Sequence, residues 1–236
     1  MIIFYSPEIL DTLTLPESDS AHAIRVLRLK EGDEIAVTDG RGSFIHCRIT
    51  LAHPKRTGIE VINIDPKPSF WNGPLTIAVA PTKNMDRMEW MTEKLTEIGI
   101  DRITPLLCRH SERKEIKTER LQKIAVSAMK QSLKGVLPQI DEMTPILKFI
   151  TEDTTPQKFI AYCSDDFPRK NLTELYKPES GATLLIGPEG DFTSEEIAKA
   201  IECGFVPVSL GDARLRTETA AIVGINTFHI IQQLKK

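Results

Sequence analysis

The fold is decided by one stretch in the C-terminal third of the sequence, Leu184-Leu185-Ile186-Gly187-Pro188-Glu189-Gly190-Asp191-Phe192-Thr193-Ser194-Glu195-Glu196. A continuous apolar run ends at Ile186, and a tight Gly-Pro-Glu-Gly turn follows it. Thr193 and Glu196 then stand at the spacing of a helix capping box. The stretch therefore predicts a buried strand, a turn and a helix start. The turn is a candidate ligand-binding loop, because open α/β sheets bind ligands at the carboxyl ends of their strands.

A second strand-to-loop transition follows further along the chain. The strand-like run from Phe205 to Leu210 leads through Gly211 into the loop Asp212–Ala220. Glycine lets the backbone approach a ligand closely, and both loops carry it where the strand ends. We therefore expect the two loops to form two walls of one pocket.

The sequence from residue 75 onwards alternates between apolar runs and helical periodicity. Further strands are predicted at Leu75–Ala80, Ile103–Leu107 and Lys158–Tyr162. Helices are predicted at Met85–Ile98, Thr118–Lys134 and Thr217–Gln233, with the methionines of the first interpreted as core. Near-continuous apolar strands alternating with helices are typical of a parallel sheet covered on both faces, the α/β class.

The first 66 residues have a different pattern, typical of a small β-barrel. Strands are predicted at Glu34–Thr38, Ser43–Ile49 and Gly58–Ile64. The intervening Asp39–Gly42 is interpreted as a hairpin turn rather than a glycine-rich cofactor loop, because a strand follows it. The Pro-rich segment Asp65–Pro74 is interpreted as a linker, which predicts domains 1–70 and 71–236.

Two segments are locally basic although the whole chain has a net charge of −3. Ala21–Lys30 contains three cations and no acid, and in a helix Ile24 and Leu27, with Val26 as a further candidate, would face inward. Arg25 and Arg28 would then share an outer face that is either simply solvated or a phosphate-binding patch. From Lys83 to Lys134 there are twelve Lys and Arg against eight Asp and Glu, with a cluster in the loop after Leu107. This loop is either ordinary charged surface or a polyanion-binding rim.

Composition excludes several other classes. The four cysteines form no CxxC motif and the five histidines no HxxxH pair, so we expect no metal site and a reducing compartment. No apolar run reaches the roughly 20 residues that span a bilayer. Met1–Tyr5 lacks the basic leader and cleavage site of a signal peptide, which predicts a cytoplasmic protein.

The Gly-Pro-Glu-Gly turn restricts the ligand. It lacks the GK[ST] ending of a P-loop, and no G-x-G-x-x-G opens a helix, so a nucleotide enzyme on a Rossmann-like sheet is disfavoured. Glu189 would also repel phosphate. A ligand without phosphates and with a positive centre fits better, as in S-adenosylmethionine (SAM), unless the glycines serve only to make a turn. No G-x-S-x-G nucleophile elbow is present, and Glu93 and Glu97 around Lys94 are interpreted as ion-pair partners.

The combination of motifs resembles the RsmE family, the 16S ribosomal RNA uridine-N3 methyltransferases of the SPOUT superfamily. The resemblance covers nearly the whole chain and is carried by Ile186–Gly190, Leu210-Gly211, Leu215–Ala220, His22, Arg25–Arg28, Gly32-Asp33, Arg87–Trp90, Lys94–Gly99, Ser111–Arg113, Gln131-Ser132 and Pro138. Asp191 stands where the family usually has glycine, Lys114 where it has serine, and Ala213 where arginine is common. Lys130, Leu133 and Lys134 also depart from the family pattern.

The resemblance implies a PUA-like N-terminal barrel, a C-terminal domain with a trefoil knot, bound SAM and a homodimer. The residues that it implies for cofactor binding are Leu185, Ile186, Gly187, Pro188, Glu189, Gly190, Leu210, Gly211, Leu215, Thr217, Thr219 and Ala220. A sulfonium is already an electrophile, so the transfer requires no metal. Arg216 is the candidate to stabilise the uracil oxyanion, and Glu189 and Glu218 are candidates both to orient SAM and to accept the N3 proton.

The same resemblance implies a ribosomal RNA substrate on the small subunit. The candidate RNA-binding residues are His22, Arg25, Arg28, Lys30, Lys83, Arg109, Arg113 and Lys114. The alternative from another class is a non-catalytic RNA-binding factor in ribosome assembly that has lost its cofactor pocket.

Overall fold

The computed structural model describes residues 2–164 and 168–235. The chain divides into two compact units. The first comprises Met1–Phe70 and Val126–Leu137, and the second comprises Trp71–Ala125 and Pro138–Lys236. Val126–Leu137 thus belongs to the first unit although it follows Trp71 in the sequence.

The first unit is built on a four-stranded sheet. In spatial order its strands are β1 (Ile3–Tyr5), β2 (Glu34–Thr38), β3 (Ser43–Leu51) and β4 (Gly58–Pro66). The predicted hairpin is confirmed, because β2 and β3 pair antiparallel on either side of Asp39–Gly42. The core of this unit contains fully buried Phe4, Ile9 and Ile45.

The helical segment before β2 differs from the prediction. After α1 (Ile9–Thr12), α2 (Glu17–Ala21) runs into a π-helix at His22–Val26. Helical geometry ends there, because Arg28 adopts a left-handed backbone conformation with φ 57°.

Arg25 and Arg28 therefore do not share one helical face, as they would if Ala21–Lys30 were a continuous helix. The inward position suggested for Val26 is also wrong, since that side chain is 64% exposed. The wider π-turn shifts the buried positions, and Ala23 is fully buried instead. Ile24 and Leu27 do pack against the core as predicted.

The second unit is built on a parallel sheet. Its strands are β5 (Leu75–Val79), β6 (Arg102–Leu107), β7 (Gln139–Ile140), β8 (Thr144–Pro145), β9 (Gln157–Ala161), β10 (Lys170–Asn171), β11 (Ala182–Ile186) and β12 (Val206–Ser209). They lie in the order β10-β12-β9-β11-β5-β6-β7, with β8 beside β6, and every recorded pairing is parallel. The predicted α/β class is confirmed.

Helices follow the strands of the second unit. They are α3 (Met85–Ile98), α4 (Thr118–Gln131), which continues into the first unit, α5 (Ile146–Glu152), α6 (Leu172–Leu175), α7 (Ser194–Glu202) and α8 (Thr217–Leu234). Met88 and Met91 are fully buried, which confirms the methionine stripe as core. Helix α3 ends at Gly99 with φ 122°, where a Cβ atom would lie 2.6 Å from the ring of Trp71. Only glycine fits this combination of backbone conformation and contact.

Both faces of the central strand β11 are covered. Leu185 packs in a cluster with residues of α5 and α7, whereas its neighbour Leu184 lies against Gly224 of α8. Successive residues of a strand point to opposite faces, so helices cover the sheet on both sides. Within residues 2–164 and 168–235, no helix is both long and apolar enough to cross a membrane.

Candidate functional site

The motif loops meet at one edge of the parallel sheet. Strands β5, β6, β9, β11 and β12 pair in parallel, so the loops that follow them leave from the same, carboxyl edge. This edge therefore carries the loop after β5, the basic loop after β6, the Gly-Pro-Glu-Gly turn after β11 and the loop after β12. Such an edge is where open α/β sheets bind ligands.

The Gly-Pro-Glu-Gly turn is fixed by the helix that follows it. Helix α7 begins with the predicted capping box: Thr193 Oγ1 accepts from the Glu196 N–H, and Glu196 Oε2 accepts from the Thr193 N–H. The second oxygen of Glu196 accepts from the backbone N–H of Arg109 at 2.8 Å. A single buried carboxylate thus joins the loop after β6 to the end of the turn.

One hydrogen bond joins the two glycine-containing loops. The hydroxyl of Thr217, the first residue of α8, donates to the carbonyl oxygen of Gly187 at 3.1 Å, and Thr217 is buried. Gly211, at the start of the second loop, has φ 112°, a conformation that L-residues rarely adopt. The structure therefore brings together the two loops that the sequence singles out.

Glu189 and Arg113 both bind the loop after β5. Glu189 Oε1 accepts from the backbone N–H of Lys83 at 3.2 Å. Arg113 Nη2 donates to the carbonyl oxygen of Lys83 at 2.6 Å, and its Nε donates to that of Thr82 at 3.4 Å. The Lys83 side chain pairs with Glu112 at 3.1 Å on the surface.

His110 and Asp191 hold the other side of the turn. His110 Nδ1 lies 3.0 Å from the carbonyl oxygen of Gly190 and 3.1 Å from that of Asp191, so this nitrogen is the donor. Asp191 has φ 62°, a conformation that glycine adopts freely and aspartate tolerates. Its carboxylate accepts a hydrogen bond from the N–H of Cys163 at 2.8 Å, a contact that a glycine at this position could not make.

Glu218 is a buried carboxylate in the first turn of α8. Its side chain is 8% exposed, and its Oε1 lies 3.7 Å from Nε of Arg87 on α3. Its Oε2 has no hydrogen-bond partner within the described part of the chain. A buried acceptor left unpaired costs about 1–3 kcal/mol, so an oxygen of this kind is a candidate ligand-binding group.

The thiol at the start of the basic loop does not qualify as a nucleophile. Burial raises the pKa of Cys108 far above its usual range, and Glu196 raises it further. The thiol therefore stays protonated at neutral pH. Among the described residues, no group of three or more His, Cys, Asp and Glu side chains is arranged to hold a metal ion.

A polar cavity of about 490 Å³ lies elsewhere in the second unit. Residues of β6, α5 and the segments beside them line it, including Arg102, Asp141 and Lys148. Its lining includes no residue of the Gly-Pro-Glu-Gly turn or of the loop after β12. We therefore separate this cavity from the candidate site, which is defined by the motif loops.

Comparisons with known proteins agree with this geometry. A family model described as an RNA methyltransferase domain matches residues 71–229, and one described as an RNA methyltransferase PUA domain matches residues 15–59. The ribosomal RNA small subunit methyltransferase E of Synechocystis is 31% identical over 228 residues, which cover 91% of this chain and 71% of that protein.

Solved structures are similar over the whole chain. The crystal structure of a probable rRNA-methyltransferase from Porphyromonas gingivalis has 42% identity and a TM-score of 0.95, with 100% of both chains covered. The ribosomal RNA small subunit methyltransferase E of Neisseria gonorrhoeae, bound to S-adenosyl methionine, has 26% identity and a TM-score of 0.86, with 98% of both chains covered.

The chain belongs to the RNA methyltransferase family. The family resemblance, the enzyme class and the α/β fold with its PUA domain are confirmed. The matched range 71–229 includes every loop at the carboxyl edge of the sheet. Glu189, Arg216 and Glu218 lie within this matched range, and their roles stay a prediction.

The predicted cofactor residues of this RNA methyltransferase differ in exposure and fall into three groups. Leu185, Ile186, Gly187, Pro188 and Thr217 are buried, whereas Glu189, Gly190 and Gly211 are exposed, as is the catalytic candidate Arg216. Leu210, Leu215, Thr219 and Ala220 are half-buried. All of them lie on β11, on α8 or in the loops at the carboxyl edge, and their role as a set stays a prediction.

The predicted RNA-binding residues are mostly exposed. His22, Arg25, Arg28 and Lys30 lie on the surface of the first unit, and Lys83, Arg109 and Lys114 on that of the second. Arg113 differs, because it is half-buried and its guanidinium is bonded to backbone carbonyls. Three further contacts of the site were not predicted, those of Arg87, His110 and the Lys83 peptide, because a sequence does not show which backbone groups meet a side chain.

Proposed function

We propose that this protein transfers the methyl group of SAM to N3 of a uridine in the 16S ribosomal RNA of the small subunit. The observation that carries the proposal is the junction of Gly187 and Thr217, which places Arg216 and Glu218 beside the Gly-Pro-Glu-Gly turn. Membership in the RNA methyltransferase family supports the reaction type, and the names of its relatives support the substrate.

The residues present fit SAM better than a phosphorylated cofactor. The unpaired Oε2 of Glu218 is an acceptor for a ligand that brings a donor or a positive centre. Glu189 adds a second negative charge at the turn. When bound, SAM supplies an electrophilic methyl group, and the two loops hold it in line with the base, an alignment that contributes about 7 kcal/mol or more.

Arg216 is the candidate to stabilise the negative charge on the uracil oxygens. It is exposed and directly precedes the N-terminus of α8, where it makes no side-chain capping bond. A cation at this end of a helix is disfavoured by ~0.3–1 kcal/mol, so its place there is not explained by stability. The helix N-terminus and the guanidinium together favour an anion, as the uracil becomes when N3 loses its proton.

Of the two candidate proton acceptors we assign the role to Glu218. Glu189 uses its Oε1 to hold the Lys83 peptide, whereas Glu218 has an oxygen without a donor among the described residues. This oxygen of Glu218 is buried. The proton leaves N3 for the carboxylate as the N3–methyl bond forms, and the electron pair of the sulfur–methyl bond stays with sulfur.

We propose that residues 71–236 form the methyltransferase domain and carry the trefoil knot of the SPOUT superfamily. The order of the sheet supports this, because β11 lies between β9 and β5. The chain beyond β12, on the far side of β9, then returns in α8 to pack against β5 and β11.

We propose that residues 1–70 form the RNA-binding domain and that the protein acts in the cytoplasm as a homodimer. Helices α3 and α8 pack together, and each exposes a large apolar side chain, Trp90 and Ile230, both 47% accessible; burial of these side chains in a dimer would remove them from water. Family membership does not favour the alternative of a non-catalytic assembly factor.

The test is methyl transfer from labelled SAM to small ribosomal subunits that lack the modification. We expect N3-methyluridine in the 16S RNA, identified by mass spectrometry of its nucleosides. Absence of transfer to subunits and to naked RNA, by a folded protein, would overturn the proposal. Calorimetry with SAM then separates a non-catalytic factor, which does not bind it, from an enzyme that lacks its substrate.

A further inference from the structure

The peptide of Lys83 is held from both sides by residues of two other loops. Its N–H donates to Glu189 in the Gly-Pro-Glu-Gly turn at 3.2 Å, and its carbonyl oxygen accepts from Arg113 in the loop after β6 at 2.6 Å. Glu189 and Arg113 therefore act on each other through one residue of a third loop. We call this arrangement, Arg113–Lys83–Glu189, the peptide clamp.

Arg113 differs from the other cations of its loop. Arg109 and Lys114 are exposed, and within the described residues their side chains make no hydrogen bond or ion pair. Arg113 is half-buried and donates from two nitrogens to two successive carbonyl oxygens, those of Thr82 and Lys83. A guanidinium can span two such acceptors because its donors form a rigid fork, which an ammonium group lacks.

The hydrogen bonds to the Lys83 peptide matter more for the Gly-Pro-Glu-Gly turn than the surface ion pair of the Lys83 side chain does. The ion pair of the Lys83 side chain with Glu112 is exposed on both sides, with side-chain accessibilities of 80% and 55%, so it contributes little. The peptide contacts are charge-assisted, and they set the distance between the loop after β5 and Glu189. His110 and Glu196 hold the same turn independently, through the carbonyl of Gly190 and the capping box.

We propose that Arg113 and Glu189 are positioning residues that fix the methyl-donor turn through the Lys83 peptide, and that Arg113 does not bind an RNA phosphate. The inference rests on the proposed function for the identity of the donor. It separates Arg113 from Arg109 and Lys114, whose free side chains remain candidates for RNA contact.

The experiment compares Arg113→Lys, Glu189→Ala and Glu189→Gln with Lys114→Ala. Arg113→Lys keeps the charge and loses the fork, so we expect affinity for SAM to fall about tenfold, the loss for about one charge-assisted hydrogen bond. The salt dependence of RNA binding stays at the wild-type slope. Lys114→Ala should give the opposite pair of results: the slope of RNA affinity against salt concentration, on logarithmic scales, falls by about 0.7–0.9, and SAM affinity is unchanged.

Variants of Glu189 provide the second comparison in this experiment. Glu189→Gln keeps an acceptor oxygen for the Lys83 N–H but loses the charge, so it should lose less SAM affinity than Glu189→Ala, which should lose about as much as Arg113→Lys. Since the clamp is one unit, the double variant Arg113→Lys with Glu189→Ala should be no weaker than the worse single variant. Thermal unfolding of each variant confirms that the comparison is between folded proteins.

The outcomes that overturn the inference are distinct from failure of the proposed function. If wild-type protein does not bind SAM, the proposed function fails. If it binds SAM and Arg113→Lys binds equally well with a reduced salt slope, Arg113 is an RNA contact and the clamp is rejected. Additive losses in the double variant, or equal losses in Glu189→Gln and Glu189→Ala, would also reject it.

Discussion

The hydroxyl of Thr217 and the carbonyl oxygen of Gly187, thirty residues apart in the sequence, form a 3.1 Å hydrogen bond at the carboxyl edge of the sheet. The bond is buried, so neither group has water as an alternative partner. It fixes the start of α8, and hence Arg216 and Glu218, relative to the turn after β11. The Thr217 side chain therefore connects the turn proposed to bind the cofactor with the residues proposed for the chemistry.

Thr217→Val should weaken SAM binding more than it weakens the fold. Valine has the same shape but no hydroxyl, so the Gly187 carbonyl is left unpaired at a cost of about 1–3 kcal/mol. We expect a rise of about tenfold in the dissociation constant for SAM, measured by calorimetry. Thr217→Ser, which keeps the hydroxyl, is the matched control and should bind as the wild type does. A loss in Thr217→Ser but not in Thr217→Val would show that the methyl group, not the bond, matters.

Glu218→Gln should lower turnover. The amide keeps the size of the side chain but does not accept the N3 proton, and removal of a general base costs about 10²–10⁴-fold in rate. Single-turnover methylation at saturating SAM measures the step, and calorimetry measures SAM binding separately. The matched control is Glu195→Gln, an exposed acid in the first turn of α7. A variant with normal turnover and weak SAM binding would make Glu218 a cofactor ligand instead.

The sequence predicts those parts of the fold that rest on continuous burial. Strands β5, β6, β9, β11 and β12 and helix α3 are all visible as apolar runs or periodicity. The two-residue strands β7, β8 and β10 are too short to have a pattern of their own. The position of β11 between β9 and β5 is set by packing between distant segments, which no local pattern encodes.

The same limit applies to the candidate site. The glycine-containing loops and the capping box are local motifs, and the sequence indicates them directly. The contacts of Glu189 and Arg113 are to backbone groups of Lys83, and every residue has such groups, so nothing marks Lys83 as the partner. The left-handed conformation of Arg28 is similarly hidden, because arginine has no preference for it and the surrounding structure imposes it.

Gly224→Ala should destabilise the second unit. A Cβ atom on Gly224 would lie 2.2 Å from Cδ2 of Leu184, which is fully buried in β11. Alanine gains ~1 kcal/mol in helix propensity over glycine, but overpacking a core costs about 1–3 kcal/mol. We expect a net loss that lowers the melting temperature by a few degrees in a thermal unfolding scan.

The control for this helix is Asn226→Ala, an exposed position two residues further along α8. It changes propensity without changing packing, so stability should stay the same or rise slightly. Partial rescue of Gly224→Ala by Leu184→Val would locate the clash. A rise in melting temperature for Gly224→Ala alone would mean that α8 does not press against β11 at this position.

Arg28→Gly should separate stability from RNA binding in the first unit. Arg28 has φ 57°, which costs roughly 1–2 kcal/mol in a side-chain-bearing residue and little in glycine. Its side chain is exposed and, within the described residues, has no recorded hydrogen bond or ion pair. We therefore expect Arg28→Gly to keep or raise the melting temperature while it lowers the salt slope of RNA binding by about 0.7–0.9 for one lost phosphate contact. Arg25→Ala, on the regular π-helical backbone, should lower the salt slope of RNA binding equally without the gain in stability. If both variants keep the wild-type slope, this segment is not part of the RNA interface.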